Sequence, residues 1–199
     1  AGYSLVGMDH LGASSLKILE AECVAQITSD GTLLSRNPEE LLKVFGLLIQ
    51  IKITLNLAGV QIPEPLLNRI SKMAPVLRSL RHGDGTLARF HGGSSGSEYF
   101  LDQTLAASEV RPSIPQENAM GFSRFTSGST TVIIDAAAPN SGPDSFNAHA
   151  STCGLELSTG RTPLIVSCGS GSSFGDNFHL AGRCTASHST MTIEGINSS

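Results

Sequence analysis

The chain has 199 residues, a formal charge of −4 and a mean hydropathy of +0.07, with 40% hydrophobic and 15% charged residues. A charged share below the usual ~25% excludes an acidic disordered tail, and the weak net charge excludes a strongly basic nucleic-acid binder. The 21 Gly and 9 Pro follow no triplet period, which excludes collagen-like sequence, and with no Trp and two Tyr there are few platforms on which bases or sugars could stack.

The first sixteen residues lack a basic segment followed by an apolar run, so no signal peptide is readable. Residues 14–27 then place Leu16, Leu19, Cys23 and Ile27 on one face of a helix, with Ser14 and Ser15 available as caps, and Asp30-Gly31 breaks it. Asn37 reads as the cap of a second helix, with Pro38 in its first turn and Glu39-Glu40 complementing its dipole. That helix runs to about Ala58. Residues 44–57 are its most apolar part, but Lys52 interrupts them and they are too short for a bilayer, so a buried helix is expected. Pro63-Glu64-Pro65 opens a third, with Leu66, Leu67, Ile70, Met73, Val76, Leu77 and Leu80 inward, ending before Gly83. Three antiparallel helices are too few to enclose one that is apolar all round.

Charge and texture change near residue 83. Eight cations and seven acids precede it, and five arginines and ten acids follow. Helical spacing gives way to short β-rich runs separated by Gly, Ser and Pro, which marks a boundary between a helical part, residues 1–83, and a β part, residues 84–199. Strands are expected over 86–90, 121–125, 130–134, 149–157, 163–168 and within 184–193, with a short helix or turn over 98–107. Strand–turn–strand units at this spacing argue for an antiparallel sandwich or layered sheet, so the fold class is α+β. Cys23, Cys153, Cys168 and Cys184 have no C-x-x-C spacing; they read as buried small hydrophobes, and a disulfide among the last three stays open.

Two polar groupings carry possible chemistry. Arg78, Arg81, His82, Asp84, Arg89 and His91 surround the end of the third helix; they are either cations at a helix C-terminus or an anion-binding rim at the junction of the two parts. Asn147 and His149 alternate and would share one side of a strand, with His188 in a later strand. A histidine pair can hold zinc, although a structural site needs four ligands and a catalytic site three. The chain has no nucleophile elbow, P-loop or H-E-x-x-H motif.

Four segments, in order, carry a family resemblance. Residues 29–38, S-D-G-T-L-L-S-R-N-P, resemble the D-G-G-H-x-S-R-N-P segment of bacterial heparinase II/III-like proteins. Residues 73–85, M-A-P-V-L-R-S-L-R-H-G-D-G, resemble their M-x-P-x-L-R-x-x-R-H-G-D-G segment. Asn147-Ala148-His149-Ala150-Ser151, Leu155-Glu156-Leu157, Gly160-Arg161 and Leu164-Ile165-Val166 follow their H-x-H-A-D, F-E-L, G-R and L-I-V run, and residues 183–190 follow R-S-T-A-x-H-N/S-T.

The resemblance implies an α-helical (α/α) toroid followed by an antiparallel β-sandwich. It also implies a polysaccharide lyase that cleaves acidic, uronate-containing polysaccharide of glycosaminoglycan type by β-elimination. A base there removes the proton next to the uronate carboxylate while polar groups neutralise that carboxylate. By position, Asn37, His82 and Asn147 are the expected catalytic residues. Arg36, Arg78, Arg81 and Arg89 are the expected substrate cations, and His149 and His188 the expected ligands of a structural zinc. The departures are Asn147 for the first His of H-x-H, Ser151 and Ser167 for two family Asp, and Leu33 for the His of D-G-G-H. Tyr3 and Tyr99 both lie away from the expected acid/base position. A rival reading is a polysaccharide-binding protein that keeps the lyase fold without catalysis, and a purely structural scaffold is a third. A family lyase would be periplasmic or secreted. Against the family pattern the 199 residues read as the middle of a longer chain, and such a piece would expose apolar helix and sheet edge.

Overall fold

The structure, a computed structural model, describes residues 9–198. The helical part opens with α1 (Asp9–Gln26), α2 (Pro38–Leu57) and α3 (Glu64–Ser79). Helix α1 starts earlier than the serines suggest, so Ser14 and Ser15 lie inside it. Helix α2 starts at the expected cap: Asn37 Oδ1 accepts from the backbone N–H of Glu39 at 2.9 Å and of Glu40 at 3.1 Å. The loop between α1 and α2 folds tightly on α3. Gly31 has φ +77°, and a Cβ there would sit 2.4 Å from the backbone carbon of Lys72. Helix α4 (Glu98–Ser108) is capped by Ser97 and packs on both α2 and α3, so helical packing continues past residue 83.

The β part is one antiparallel sheet in the order β1 (Asn118–Ala119), β2 (Phe122–Ser127), β3 (Thr130–Asp135), β4 (Leu155–Thr159), β5 (Thr162–Ile165). A hairpin at Gly128 joins β2 to β3, as the alternation predicts. The fold is thus α+β, and among the described residues its strands form a single layer. The face turned toward the helices is polar: Thr131, Asp135, Glu156 and Ser158 are buried there with Ile133. The apolar parity, Val132, Ile134, Leu155 and Leu157, lies half-buried on the other side.

One apolar core joins helices and sheet. Leu41, Phe45 and Ile49 of α2 meet Ile70, Met73 and Leu77 of α3; the cluster continues through Leu87, Phe90 and Leu101 to Phe122 and Ile133. Phe90 stacks on Phe122 with ring centroids 4.7 Å apart. Each fully buried Leu or Phe is worth about 1.5–3 kcal/mol. Outside this core, Ile18, Leu47 and Leu57 remain exposed.

Two expected strands are absent and a third, over 149–157, forms only from Leu155 onward as β4. Residues 86–90 make only an Arg81–Leu87 bridge, because Leu87 and Phe90 anchor in the helical core and the Ala88 N–H bonds back to Leu80. Residues 149–154 spend their amides on turns: Ser151 N–H on His149 O, Gly154 N–H on Ser151 O, with Cys153 at φ +59°. Asn147 and His149 therefore do not share a strand face. In place of a strand within 184–193, helix α5 (Asp176–Arg183) is followed by a 3-10 turn at Thr185–Ser187, which leaves His188 outside any strand. The signals for α5, Asp176 in its first turn and Arg183 in its last, sit beside a Gly/Ser-rich loop that masks them. Cys23 is buried as expected, whereas Cys153 and Cys168 are exposed, and all four cysteines are free thiols. Among the described residues no helix is long and apolar enough to cross a membrane.

Candidate functional site

Five chain segments converge on one open pocket of about 390 Å³. The first turn of α2 supplies Asn37, Glu39, Glu40 and Lys43; the 91–93 turn supplies Gly92. The 146–149 turn supplies Asn147 and His149, the 169–172 loop Ser170 and Ser172, and α5 His179. Gly92 is required for the close approach, since a Cβ on it would lie 3.2 Å from His149 Nε2, and its φ of +81° disfavours any side chain. Gly93 is equally tight, 2.7 Å from Asn37 Oδ1 by the same measure.

Asn37 is held from both ends. Its Oδ1 caps α2, and its Nδ2 donates to the carbonyl of His91 at 3.0 Å. Glu39 accepts from the Ser94 N–H at 2.9 Å and pairs with Lys43 at 3.2 Å; burial alone would raise its carboxyl, but these partners hold it below its ordinary value. Asn147 stands exposed in its turn. His149 is buried, with Nδ1 3.3 Å from His188 Nε2 and with Nε2 unpartnered. Burial, then the neighbouring His188, holds the His149 imidazole down to about 3, so the ring is neutral at physiological pH; burial lowers His188 as well.

Behind the pocket lie two buried polar ties between helices and sheet. His82 places Nε2 3.0 Å from Glu156 Oε2 and Nδ1 3.0 Å from Ser158 Oγ. The other oxygen of Glu156 accepts the backbone N–H of Arg89 at 3.0 Å and of Ser167 at 2.9 Å. In the second tie, Asp135 on β3 accepts from Arg36 through one oxygen and lies 3.1 Å from His91 Nε2 through the other. The Arg36 guanidinium also donates to the carbonyls of Met120, Gly121 and Ala138 and sits 4.8 Å above the Phe122 ring.

Of the residues singled out from sequence, Asn37, Asn147 and His149 come together at the pocket, and His149 meets His188. His82 does not reach it: the ring is buried and both nitrogens are engaged with the sheet. The four arginines do not reach it either. Arg36 is in its buried pair, Arg78 donates to the carbonyls of Val110 and Arg111, and Arg81 pairs with Asp102 at 2.6 Å. Arg89 contributes its backbone to Glu156. Glu39, Lys43 and His179 are pocket residues that the sequence did not announce, and Glu156 and Asp135 are buried acids it did not flag. The available signal for the acids was parity. Each occupies the inward-facing position of an alternating strand, where an apolar residue is the rule.

His149 and His188 offer two nitrogens at a spacing that suits one metal ion. Among the described residues no third His, Cys, Asp or Glu joins them, and Ser151 and Ser167 stand where the family pattern has Asp. The donors present fit neither a four-ligand structural zinc nor a three-ligand catalytic one.

Comparison with known proteins bears on the family and the fold. Residues 110–199 match the model of the family described as heparinase II/III-like, C-terminal. FtsZ-localized protein C of Caulobacter vibrioides is 31% identical over 157 residues, which is 78% of this chain and 27% of that protein. The heparinase III BT4657 gene product superposes with a TM-score of 0.72 at 17% identity, over 92% of this chain and 33% of its own. Heparan sulfate lyase HepC from Pedobacter heparinus gives 0.70 at 16%, over 92% and 33%. The chain thus spans about a quarter of the curated relative and a third of the solved lyases. Residues 110–199 thus belong to the heparinase II/III-like C-terminal family, and the chain as a whole has the fold of the solved heparinase III structures.

Proposed function

We propose that the pocket at the start of α2 binds a polysaccharide of low charge density and does not carry out β-elimination. The observation that supports this most is the chemistry of the pocket wall. Its ionisable groups are Glu39, Glu40, Lys43, His149 and His179, and Lys43 is already paired with Glu39. A densely acidic polymer would need cations there, yet Arg36, Arg78 and Arg81 are spent on internal partners. A general base works best with a pKa near the operating pH, and burial holds the His149 imidazole down to about 3, which makes it a weak proton acceptor. The exposed Asn147 amide can donate to and accept from sugar hydroxyls, and Asn37 has one amide hydrogen left to donate. On this reading Arg36, His82, Arg78 and Arg81 shape the scaffold, Asn37, Asn147 and His149 meet the ligand, and zinc has no part in binding.

The test titrates chitohexaose, hyaluronan and heparan sulfate into the protein by calorimetry while following the absorbance of unsaturated uronide. Saturable binding that favours chitohexaose or hyaluronan over heparan sulfate, with no absorbance gain, is expected. Unsaturated product from any polymer would sink the reading, and so would a preference for heparan sulfate.

A second reading, independent of the pocket, follows from the 31% identity to FtsZ-localized protein C over 78% of this chain: we infer localisation with FtsZ as the rival role. A fluorescent fusion that stays dispersed while FtsZ forms a ring would contradict it.

A further inference from the structure

We propose that Asp135, which does not line the pocket, is a positioning residue that holds the ligand-facing edge of the pocket in place through two strained backbone turns. This rests on the pocket reading above. Arg36 has φ +55° and His91 has φ +48°, both in the left-handed region that side chains with a Cβ avoid. Each directly precedes a residue of the pocket wall, Asn37 and Gly92. The two turns are joined to each other, because Asn37 Nδ2 donates to the carbonyl of His91. One buried carboxylate grips both: Asp135 Oδ1 takes the Arg36 guanidinium, and Oδ2 lies 3.1 Å from His91 Nε2, with the Asp135 side chain 1% exposed.

The geometry has a direction. Residues without a left-handed preference hold that conformation only where their surroundings over-determine it. For Arg36 the surroundings are Asp135, three backbone carbonyls and the Phe122 ring. For His91 the ring meets Asp135 in a polar contact at 3.1 Å that lacks hydrogen-bond geometry, its carbonyl takes the Asn37 amide, and the Gly93 N–H closes the turn on the Phe90 carbonyl at 2.9 Å. The His91 side chain, unlike that of Arg36, is thus anchored to the sheet through Asp135 without a set of carbonyl partners beside it. Were the 91–93 turn to relax, Gly92, which packs beside His149, and the carbonyl that holds the Asn37 amide would both shift.

A glycine–alanine comparison separates this role from general scaffolding. His91→Ala removes the ring and leaves a residue that disfavours φ +48°; His91→Gly removes the same ring and leaves a residue that accepts it. With chitohexaose as probe, His91→Ala is expected to raise Kd about tenfold, and His91→Gly to stay within about twofold of the parent. Asp135→Asn, if it folds, should weaken binding as His91→Ala does. Equal losses in His91→Ala and His91→Gly would overturn the proposal, because the ring itself and not the backbone would then matter. A second readout does not need the ligand: the Asn37 side-chain amide resonance in a 15N spectrum should move in His91→Ala and return toward its parent position in His91→Gly. If the parent protein fails to bind chitohexaose, the pocket reading falls while this resonance still decides the positioning role. An Asn37 amide unmoved by His91→Ala would end it.

Discussion

His149 is a neutral imidazole in this fold, and that sets how the protein meets acid. An unfolded histidine titrates near 6.5, whereas folded His149 titrates at about 3. Between those values the unfolded chain binds a proton that the folded chain refuses, so stability falls as pH falls through this window. His188 is shifted the same way. Asp135 adds to the trend from below: burial would raise it, but His91 and Arg36 outweigh that and hold it under its ordinary value, so the stability it contributes is lost as pH drops through its folded pKa. From His149 alone, the free energy of unfolding should drop by about 2 kcal/mol between pH 7 and pH 5. Urea midpoints of EDTA-treated protein at the two pH values measure this, and His149→Gln should flatten the slope. A parent protein equally stable at both would show that the ring is protonated without cost. At this scale Asn37 was legible because a cap acts on amides two and three residues away. The role of His82 was not, because its partners Glu156 and Ser158 are 74 and 76 residues distant.

Among the elements, α2 and α3 were readable almost to the residue, since Asn37-Pro38 and Pro63-Glu64-Pro65 are local start signals backed by helical periodicity. The strand expected over 86–90 failed for the opposite reason. Alternating apolar residues there find partners in the helical core, so burial won over β propensity. In β4 the L-E-L-S-T pattern invites the leucines inward, yet Glu156 and Ser158 face the helices because His82 waits for them. The turn between α1 and α2 is the element most sensitive to a single methyl group. At Gly31 a Cβ would come within 2.4 Å of the Lys72 backbone carbon and 2.5 Å of the Met73 nitrogen, neither of which can rotate away, and φ is +77°. Left-handed strain and overpacking each cost about 1–3 kcal/mol, so Gly31→Ala should destabilise by about 2–4 kcal/mol. A chemical denaturation midpoint unchanged from the parent would mean that the loop slides off α3 at little cost. Gly59 is the internal control, with a similar φ and nothing near its missing Cβ; Gly59→Ala should lose only the smaller conformational share.

Across the whole molecule the change of texture near residue 83 is real in sequence, but the packing does not stop there. Helix α4 lies beyond it and packs on α2 and α3, and the apolar core runs from Cys23 to Ile133 without a gap. Three polar ties cross between helices and sheet: Arg36 to Asp135, His82 to Glu156, and Arg124, whose guanidinium donates to the carbonyls of Ser79 at 3.0 Å and Arg81 at 2.7 Å. Cutting Asp135 from Arg36 leaves an uncompensated buried charge, worth about 3–5 kcal/mol, and parting His82 from Glu156 leaves buried polar groups unpaired, so opening one layer destabilises the other. Helix and sheet should then unfold as one unit. Hydrogen exchange in increasing denaturant tests this, with the Leu48 and Ile49 amides reporting α2 and the Val132 and Ile133 amides reporting β3. Coincident opening free energies are expected. If β3 opened several kcal/mol below α2, the composition shift near residue 83 would mark a true folding boundary, and the pocket would sit on a joint between two separately stable parts.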